Sequence, residues 1–226
     1  YAEEDGKFIF ASEMKAIFPF LKRVEVSEDY HWMKKNLFFY EATDKCLIKG
    51  IKRFPAGHNG IFKDGKLKIS RYWNTLDHLV EVPGTYEEQV ERFRELFMDS
   101  CKLRMRSDVT IGTALSGGLD SSATIAAMAN LSKNNNSYSK DWQHAFVASF
   151  PGTPLDESHY AKMVTDHLGI GATFVDIEPL KHWDKLEDYF YLFEDLYITS
   201  PLPMIMLYES VKANGVTVTL DGHGAD

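Results

Sequence analysis

The chain has 226 residues, a formal charge of −8, and 44% hydrophobic against 26% charged residues, an ordinary globular composition with room for one large domain or two small ones. The acidic balance excludes a broad nucleic-acid-binding face, and no apolar run is long enough for a membrane-crossing helix. Two cysteines, Cys46 and Cys101, make no disulfide framework and read as small core residues in a reducing cytoplasm.

Residues 1–74 read as β-rich. The chain opens at Tyr1 as though in mid-domain, so a fragment of a longer protein is expected. Asp5-Gly6 is a turn before a short strand, Lys7 to Ala11. Ser12 is placed to cap a short helix beginning at Glu13-Met14-Lys15. Asp29 to Asn36 suits a helical turn. Asn59 to Lys63 and Lys66 to Tyr72 flank Asp64-Gly65, a dipeptide made for a two-residue hairpin turn. His58 beside it is expected to be solvated or structural rather than a ligand.

Residues 75–86 are polar, contain Pro83-Gly84, and read as a linker. Thr85 should cap a helix to about Arg106, with Glu87 and Glu88 in its first turn and Val90, Phe93, Leu96, Phe97, Cys101 and Leu103 inward. Lys102, Arg104 and Arg106 suit the C-terminal end of that helix. Strand and helix then alternate. Strands are expected at Val109 to Leu115, Ala145 to Phe150, Thr173 to Ile177 and Gly215 to Leu220. Helices are expected from Ser121 to Lys133, Asp156 to Leu168, Trp183 to Phe193 and Met204 to Ala213. The second should turn Tyr160, Met163, Val164 and Leu168 inward, and the aromatics of the third should be core. Asn134 to Ser137 is a patternless polar loop. This βαβα order demands a doubly wound parallel sheet with helices on both faces. Ligands in such folds sit at the carboxyl ends of strands. Three strand ends should converge there: the glycine loop, Ser149 to Gly152, and Asp221 to Asp226.

The first of these, Ala114-Leu115-Ser116-Gly117-Gly118-Leu119-Asp120-Ser121-Ser122, carries the chemistry. A strand, a glycine turn and a helix N-terminus make an anion cradle, because successive N–H groups point into one concavity. Asp120 beside a phosphate makes sense if Mg²⁺ lies between them. The stretch resembles the pyrophosphate loop of ATP pyrophosphatases, of the adenine nucleotide alpha hydrolase-like fold, which cleave ATP to AMP and pyrophosphate.

Taken whole, the chain resembles the glutamine-dependent asparagine synthetase family. Phe10 to Ala16 resembles its "ASE-x-KA" segment, and Pro55 to His58 with Tyr72-Trp73 resembles the end of its glutaminase domain. Arg106 to Val109 with Leu115 to Ser122 resembles the start of its synthetase domain, and Asp221 to Asp226 its "GEGADE" loop. The resemblance implies residues 1–74 as the later part of an N-terminal-nucleophile glutaminase domain and 87–226 as the first part of an ATP-binding domain. It implies ammonia drawn from glutamine, and ATP activating a carboxylate, with aspartate expected, as an acyl-adenylate that ammonia converts to an amide. It also implies ATP and Mg²⁺ at the site, small-molecule partners, and room for a homodimer.

Carried over by residue, Ser116, Gly117, Gly118, Asp120, Ser121 and Ser122 would hold pyrophosphate and metal, with Asp226 as a second metal-side carboxylate. Ala114, Leu115 and Ala148 would line the nucleoside side, and Asp221 and Gly222 would approach it from the last strand. Asp156 and Glu157 are acidic where the family often is, though a helix N-terminus also favours them. His223 stands where the family has a catalytic Glu, which changes the charge facing the acceptor. Residue 1 is Tyr rather than the family's nucleophilic Cys, so the chain as given should not hydrolyse glutamine. Ile198 to Pro203 lacks an Arg to pair with a substrate carboxylate. A related amidotransferase acting on another acid, such as a polysaccharide precursor, is the alternative. A sulfur transferase acting on tRNA would want a basic face and a later cysteine, and a non-catalytic nucleotide-binding module would release no AMP.

Overall fold

A computed structural model describes residues 1–133, 143–197 and 201–224. In chain order the regular elements are β1 (Ala2–Glu4), β2 (Lys7–Ile9), α1 (Tyr30–Lys35), α2 (Leu37–Tyr40), β3 (His58–Lys63), β4 (Lys66–Arg71) and α3 (Tyr86–Arg104). Then come β5 (Ile111–Ala114), α4 (Leu119–Lys133), β6 (Gln143–Ser149), α5 (Ser158–Leu168), β7 (Gly171–Asp176), α6 (Leu186–Phe193), α7 (Leu202–Ala213) and β8 (Val218–Thr219). Contacts divide the chain into two compact units, Tyr1–Glu81 with Asp184–Ser200, and Val82–Trp183 with Pro201–Asp226. The expected Asn134 to Ser137 loop lies outside the described residues.

The first unit is built on two antiparallel hairpins, β1–β2 and β3–β4. Asp64 and Gly65 both take positive φ, 51° and 72°, as a two-residue turn between right-twisted strands requires. Ala2, Ile17, Cys46 and Ile51 form the core, with Ile9, Met14 and Ile48 packed around them. His58 is structural, its Nδ1 lying 2.8 Å from the Ala56 carbonyl.

The expected Ser12 cap is not formed. The helix there is a single 3₁₀ turn, Met14–Ala16, with Glu13 at the N-cap position and no side-chain cap. Its orphan donors are met from far along the chain. Glu194 accepts from the Met14 N–H at 2.8 Å and the Lys15 N–H at 2.5 Å, with the Lys15 ammonium at 3.5 Å. Its neighbour Asp195 accepts from Arg53 at 3.1 Å, and Arg53 also donates to the Tyr40 hydroxyl at 3.1 Å. Glu194 sits at φ 55°, a left-handed conformation unfavourable to a side chain, so the contacts it makes outweigh that strain. Hydrogen bonds to a charged acceptor contribute about 1.5–3 kcal/mol. Glu194→Ala is therefore expected to lower the stability of this unit by about 2 kcal/mol. Glu194→Gly, which relieves the strained φ, should still lower it, and both are read from thermal unfolding.

The second unit is the expected α/β fold, a four-stranded parallel sheet in the order β7-β6-β5-β8. Strand β6 pairs in register with β5 (Ala114↔Phe146) and β7 (Ser149↔Asp176). Its side chains alternate between two cores, as the pleat dictates. Ala145 and Val147 pack with Ile125 of α4 and Ala161 of α5, while Phe146 packs with Leu207 and Val211 of α7. Helices α4 and α5 thus cover one face and α7 the other. The chain leaves β5 toward β6 across one face and reaches β8 from the opposite one, so the winding reverses between β5 and β8. A crevice opens at such a reversal.

Helix α3 begins as expected, with a capping box in which the Glu88 N–H donates to the Thr85 hydroxyl and the Glu88 carboxylate accepts from the Thr85 N–H. Its apolar stripe is not inward, since Val90 is 47% and Phe93 70% exposed, and burial starts only at Cys101 and Met105. In α5 the inward face is Ala161, Val164, Thr165 and Leu168, the i, i+3, i+4, i+7 set. Tyr160 and Met163 point outward, one position off that face. The aromatic helix is a 3₁₀ stretch, Pro179–Lys185, followed by α6, and only Tyr189 is buried, with Trp183 69% exposed. The last strand is shorter than expected, because only Val218 and Thr219 find ladder partners, on β5.

Candidate nucleotide site

The glycine loop leaves the carboxyl end of β5 and enters α4 directly. Leu115 is still held to β6, its N–H donating to the Phe146 carbonyl at 2.9 Å. The hydroxyls of Ser116 and Ser121 lie 3.0 Å apart, and the Gly118 N–H donates to Ser116 Oγ at 3.1 Å. Gly117 takes φ +84° and packs so closely that an added Cβ would lie 2.5 Å from the Ala161 nitrogen. The loop is therefore seated against the start of α5. The Ser122 N–H returns to the Gly118 carbonyl at 3.0 Å. Among the described residues, the N–H groups of Gly117, Leu119, Asp120 and Ser121 meet no protein acceptor. Unspent donors at the first turn of a fifteen-residue helix are the donor set an anion would need. The hydroxyl of Ser122 is buried with no partner among the described residues.

Gly222 closes the loop from β8. A Cβ there would lie 2.7 Å from the Ser121 nitrogen and 2.8 Å from the Asp120 carbonyl carbon, so only glycine lets the two backbones approach this way. Between these exits lies a cavity of about 330 Å³. Ala114, Leu115, Ser116, Gly118, Asp120 and Ser121 line it from the first strand end, Ala148 and Phe150 from the second, and Gly222, His223 and Gly224 from the last. Its apolar wall is Phe150, Leu155, Met204 and Leu207, and Glu157 completes the lining. No Lys or Arg lines the cavity among the described residues.

Of the sequence-predicted site residues, Gly117, Ser122 and Asp221 do not line the cavity, and Asp226 lies outside the described residues. Asp221 instead accepts three protein donors. Its Oδ1 takes the Ala114 N–H at 2.6 Å, and its Oδ2 takes the Tyr208 hydroxyl at 2.6 Å and the Thr219 hydroxyl at 3.0 Å. Burial, then the bond to Asp221, pushes the Tyr208 phenol up to about 12. Asp156 is engaged locally, accepting the Ser158 N–H at 3.2 Å and the Phe150 N–H at 3.3 Å, and the hydrogen bond from the Ser158 side chain leads in holding its carboxyl below the usual range. Sequence reasoning missed the wall residues Leu155, Met204 and Leu207. Nothing local distinguishes them, since Met204 and Leu207 reach the cavity through the packing of α7 on the sheet.

A larger cavity, about 570 Å³, lies in the first unit. Among its charged lining residues only Arg53 and Asp195 pair with each other, while Glu13 and Glu194 meet Lys15 and Lys52 meets Asp44 outside the lining.

The asparagine synthase family model matches residues 92–226. The chain belongs to the asparagine synthase family. A glutamine amidotransferase domain model matches residues 1–73. A putative glutamine-hydrolyzing asparagine synthetase 2 of Methanocaldococcus jannaschii is 28% identical across 100% of this chain and 43% of its own length. Asparagine synthetase B of Escherichia coli is 26% identical across 99% of this chain and 36% of its own. Amidase chyE of Penicillium rubens is 26% identical across 100% of this chain and 35% of its own. The chain thus spans less than half the length of each of these relatives. Among solved structures, an NH3-dependent NAD synthetase of Campylobacter jejuni is 15% identical, with a TM-score of 0.38 over 57% of this chain and 54% of that one. Among the described residues, no helix of this family member is long and apolar enough to cross a membrane.

Proposed function

We propose that this chain is the nucleotide-gripping stretch of a cytoplasmic, glutamine-dependent amide-forming ligase. Residues 1–74 would be the later part of its glutaminase domain, 75–86 a linker, and 87–226 the first part of its synthetase domain. The matched ranges, 1–73 and 92–226, support that division. Both cysteines are free and buried, as suits a reducing compartment. The observation that carries the reading is the set of unspent N–H groups at Gly117, Leu119, Asp120 and Ser121, of which Asp120 and Ser121 line the crevice where Gly222 closes in.

ATP would lie with its pyrophosphate on Ser116, Gly118, Ser121 and the free amides, and its base against Ala148, Phe150 and Leu207. A carboxylate is a poor electrophile. Attack of its oxygen on the α-phosphorus forms an acyl-adenylate and releases pyrophosphate, and attack by ammonia then forms the amide and releases AMP. The N–H row stabilises charge growing on the departing pyrophosphate without any proton transfer. Magnesium fits the residues present. Asp120 is exposed, its carboxylate has no protein partner among the described residues, and Mg²⁺ is characteristically held by one or two carboxylates plus substrate phosphates. When bound, the ion would neutralise phosphate charge that no Lys or Arg of the lining neutralises. Asp226 would be the second carboxylate.

Aspartate is the expected acceptor. A second reading, a non-aspartate acid, is favoured by His223 at the cavity and by the absence of a lining cation for a second carboxylate among the described residues. Exchange of labelled pyrophosphate into ATP, measured with aspartate and with a panel of other acids, tests both. Exchange dependent on one acid identifies the acceptor, and Asp120→Asn should reduce it by about 100-fold or more, the loss typical of an electrostatic contact made in the transition state. No exchange with any acid, together with no nucleotide binding, overturns the ligase reading.

A further inference from the structure

We propose that Asp221 is a positioning residue that sets the gap between the exits of β5 and β8, and through it the shape of the phosphate cradle. The argument is geometric. A single carboxylate is bound at 2.6 Å to the backbone of Ala114, the last residue of β5, and at 2.6 Å to Tyr208 on α7. Its third contact, Thr219 at 3.0 Å, lies in β8 itself. Three elements therefore meet on two oxygens. The ladder beside it is short, since β8 pairs with β5 through Ile111↔Val218 and Gly112↔Thr219 and then ends. Beyond that point the Leu220 N–H donates to the Gly112 carbonyl at 2.9 Å, and Asp221 makes the next link between the strands. Gly222 follows at once, pressed on Asp120 and Ser121. Without the carboxylate, Ala114 has no fixed acceptor and Gly222 no fixed distance from the loop. The raised Tyr208 phenol agrees with a donor held tightly on that carboxylate.

The inference rests on the ATP reading for its ligand but not for its geometry, and the test separates the two. Amide hydrogen exchange at Ala114 and calorimetric binding of MgATP and of adenosine are measured on the protein and its variants. In Asp221→Ala, the Ala114 amide should exchange faster and MgATP affinity should fall by about tenfold or more, while adenosine affinity changes by less than about threefold. Asp221→Asn keeps a carbonyl oxygen for the Ala114 N–H and should stay within about threefold of the parent for MgATP. Unchanged MgATP affinity in Asp221→Ala overturns the proposal. So do equal losses for MgATP and adenosine, or an Asn variant as weak as Ala, which would mean direct contact by the charge. Should Asp221→Ala not fold, Tyr208→Phe with Thr219→Val leaves the carboxylate held by the Ala114 N–H alone, without its hydroxyl donors on α7 and β8. That pair should lose about fivefold for MgATP, and an unchanged value overturns the proposal. A parent protein that binds no MgATP defeats the ligase reading instead, and the Ala114 exchange rates then still decide the role of Asp221.

Discussion

Gly117→Ala is expected to lower stability by about 3–5 kcal/mol and to abolish measurable MgATP binding, because two penalties add: a left-handed φ costs about 1–3 kcal/mol for a residue with a side chain, and overpacking costs about as much again. The φ is +84°, and the added methyl would lie 2.5 Å from the Ala161 nitrogen and 2.6 Å from Tyr160 Cβ. The nearest of these atoms is backbone at the start of α5 and cannot swing aside. The loop must lift off α5, and its free N–H groups then no longer converge. Gly118→Ala is the control. Its methyl would meet only the Ser116 hydroxyl, at 3.2 Å, and that side chain can rotate. A loss under about 1 kcal/mol is expected there. Thermal unfolding and calorimetric titration measure both, and a Gly117→Ala protein as stable as Gly118→Ala contradicts the seating of the loop on α5.

Gly222→Ala should act differently, with a modest loss of stability and a large loss of nucleotide affinity. The residue is not held at positive φ, so no conformational penalty applies. Its methyl would lie 2.7 Å from the Ser121 nitrogen, and β8 is short enough to yield at its end. The strand exit should back away from α4 and widen the crevice. A weakening of MgATP binding by about 30-fold, or about 2 kcal/mol, is expected, with the melting temperature lowered by only a few degrees. A variant that binds MgATP as the parent does shows that Gly222 lies outside the nucleotide's reach.

The two glycines illustrate how unevenly the site was legible. The run Ser116 to Ser122 announces a phosphate loop from its own chemistry, since glycine turn, hydroxyls and helix start are all local. That Gly117 is held by α5 and Gly222 by α4 depends on backbones more than forty residues apart in one case and about a hundred in the other. The same division separates Asp120 from Asp221. Asp120 is read as a metal-side carboxylate next to a phosphate, and the fold leaves it exposed in the first turn of α4. Asp221 looks like another member of the nucleotide-facing loop, but the fold turns its carboxylate onto Ala114, Tyr208 and Thr219.

The amphipathic readings divide in the same way. Thr85 and Glu88 determine where α3 starts, because a capping box is complete within four residues. The stripe Val90, Phe93 and Leu96 does not determine burial, which requires a facing surface, and these side chains remain exposed. In α5 one position of phase separates the true inward face from Tyr160 and Met163. The Ser12 cap failed for a related reason, since the carboxylate of Glu194, an ionised acceptor for two N–H groups, outcompetes a neighbouring hydroxyl.

Alone, the sequence determined the alternation of strand and helix, the turns at Asp64-Gly65 and Gly117-Gly118, and the glycine loop's place between a strand and a helix, because each rests on backbone chemistry within a few residues. Tertiary structure decided which apolar faces are covered, which wall the cavity has, and which carboxylate braces the site rather than facing it. Those depend on the order β7-β6-β5-β8, which brings the exits of β5 and β8 together from opposite ends of the second unit. Periodicity along a chain carries no record of that meeting.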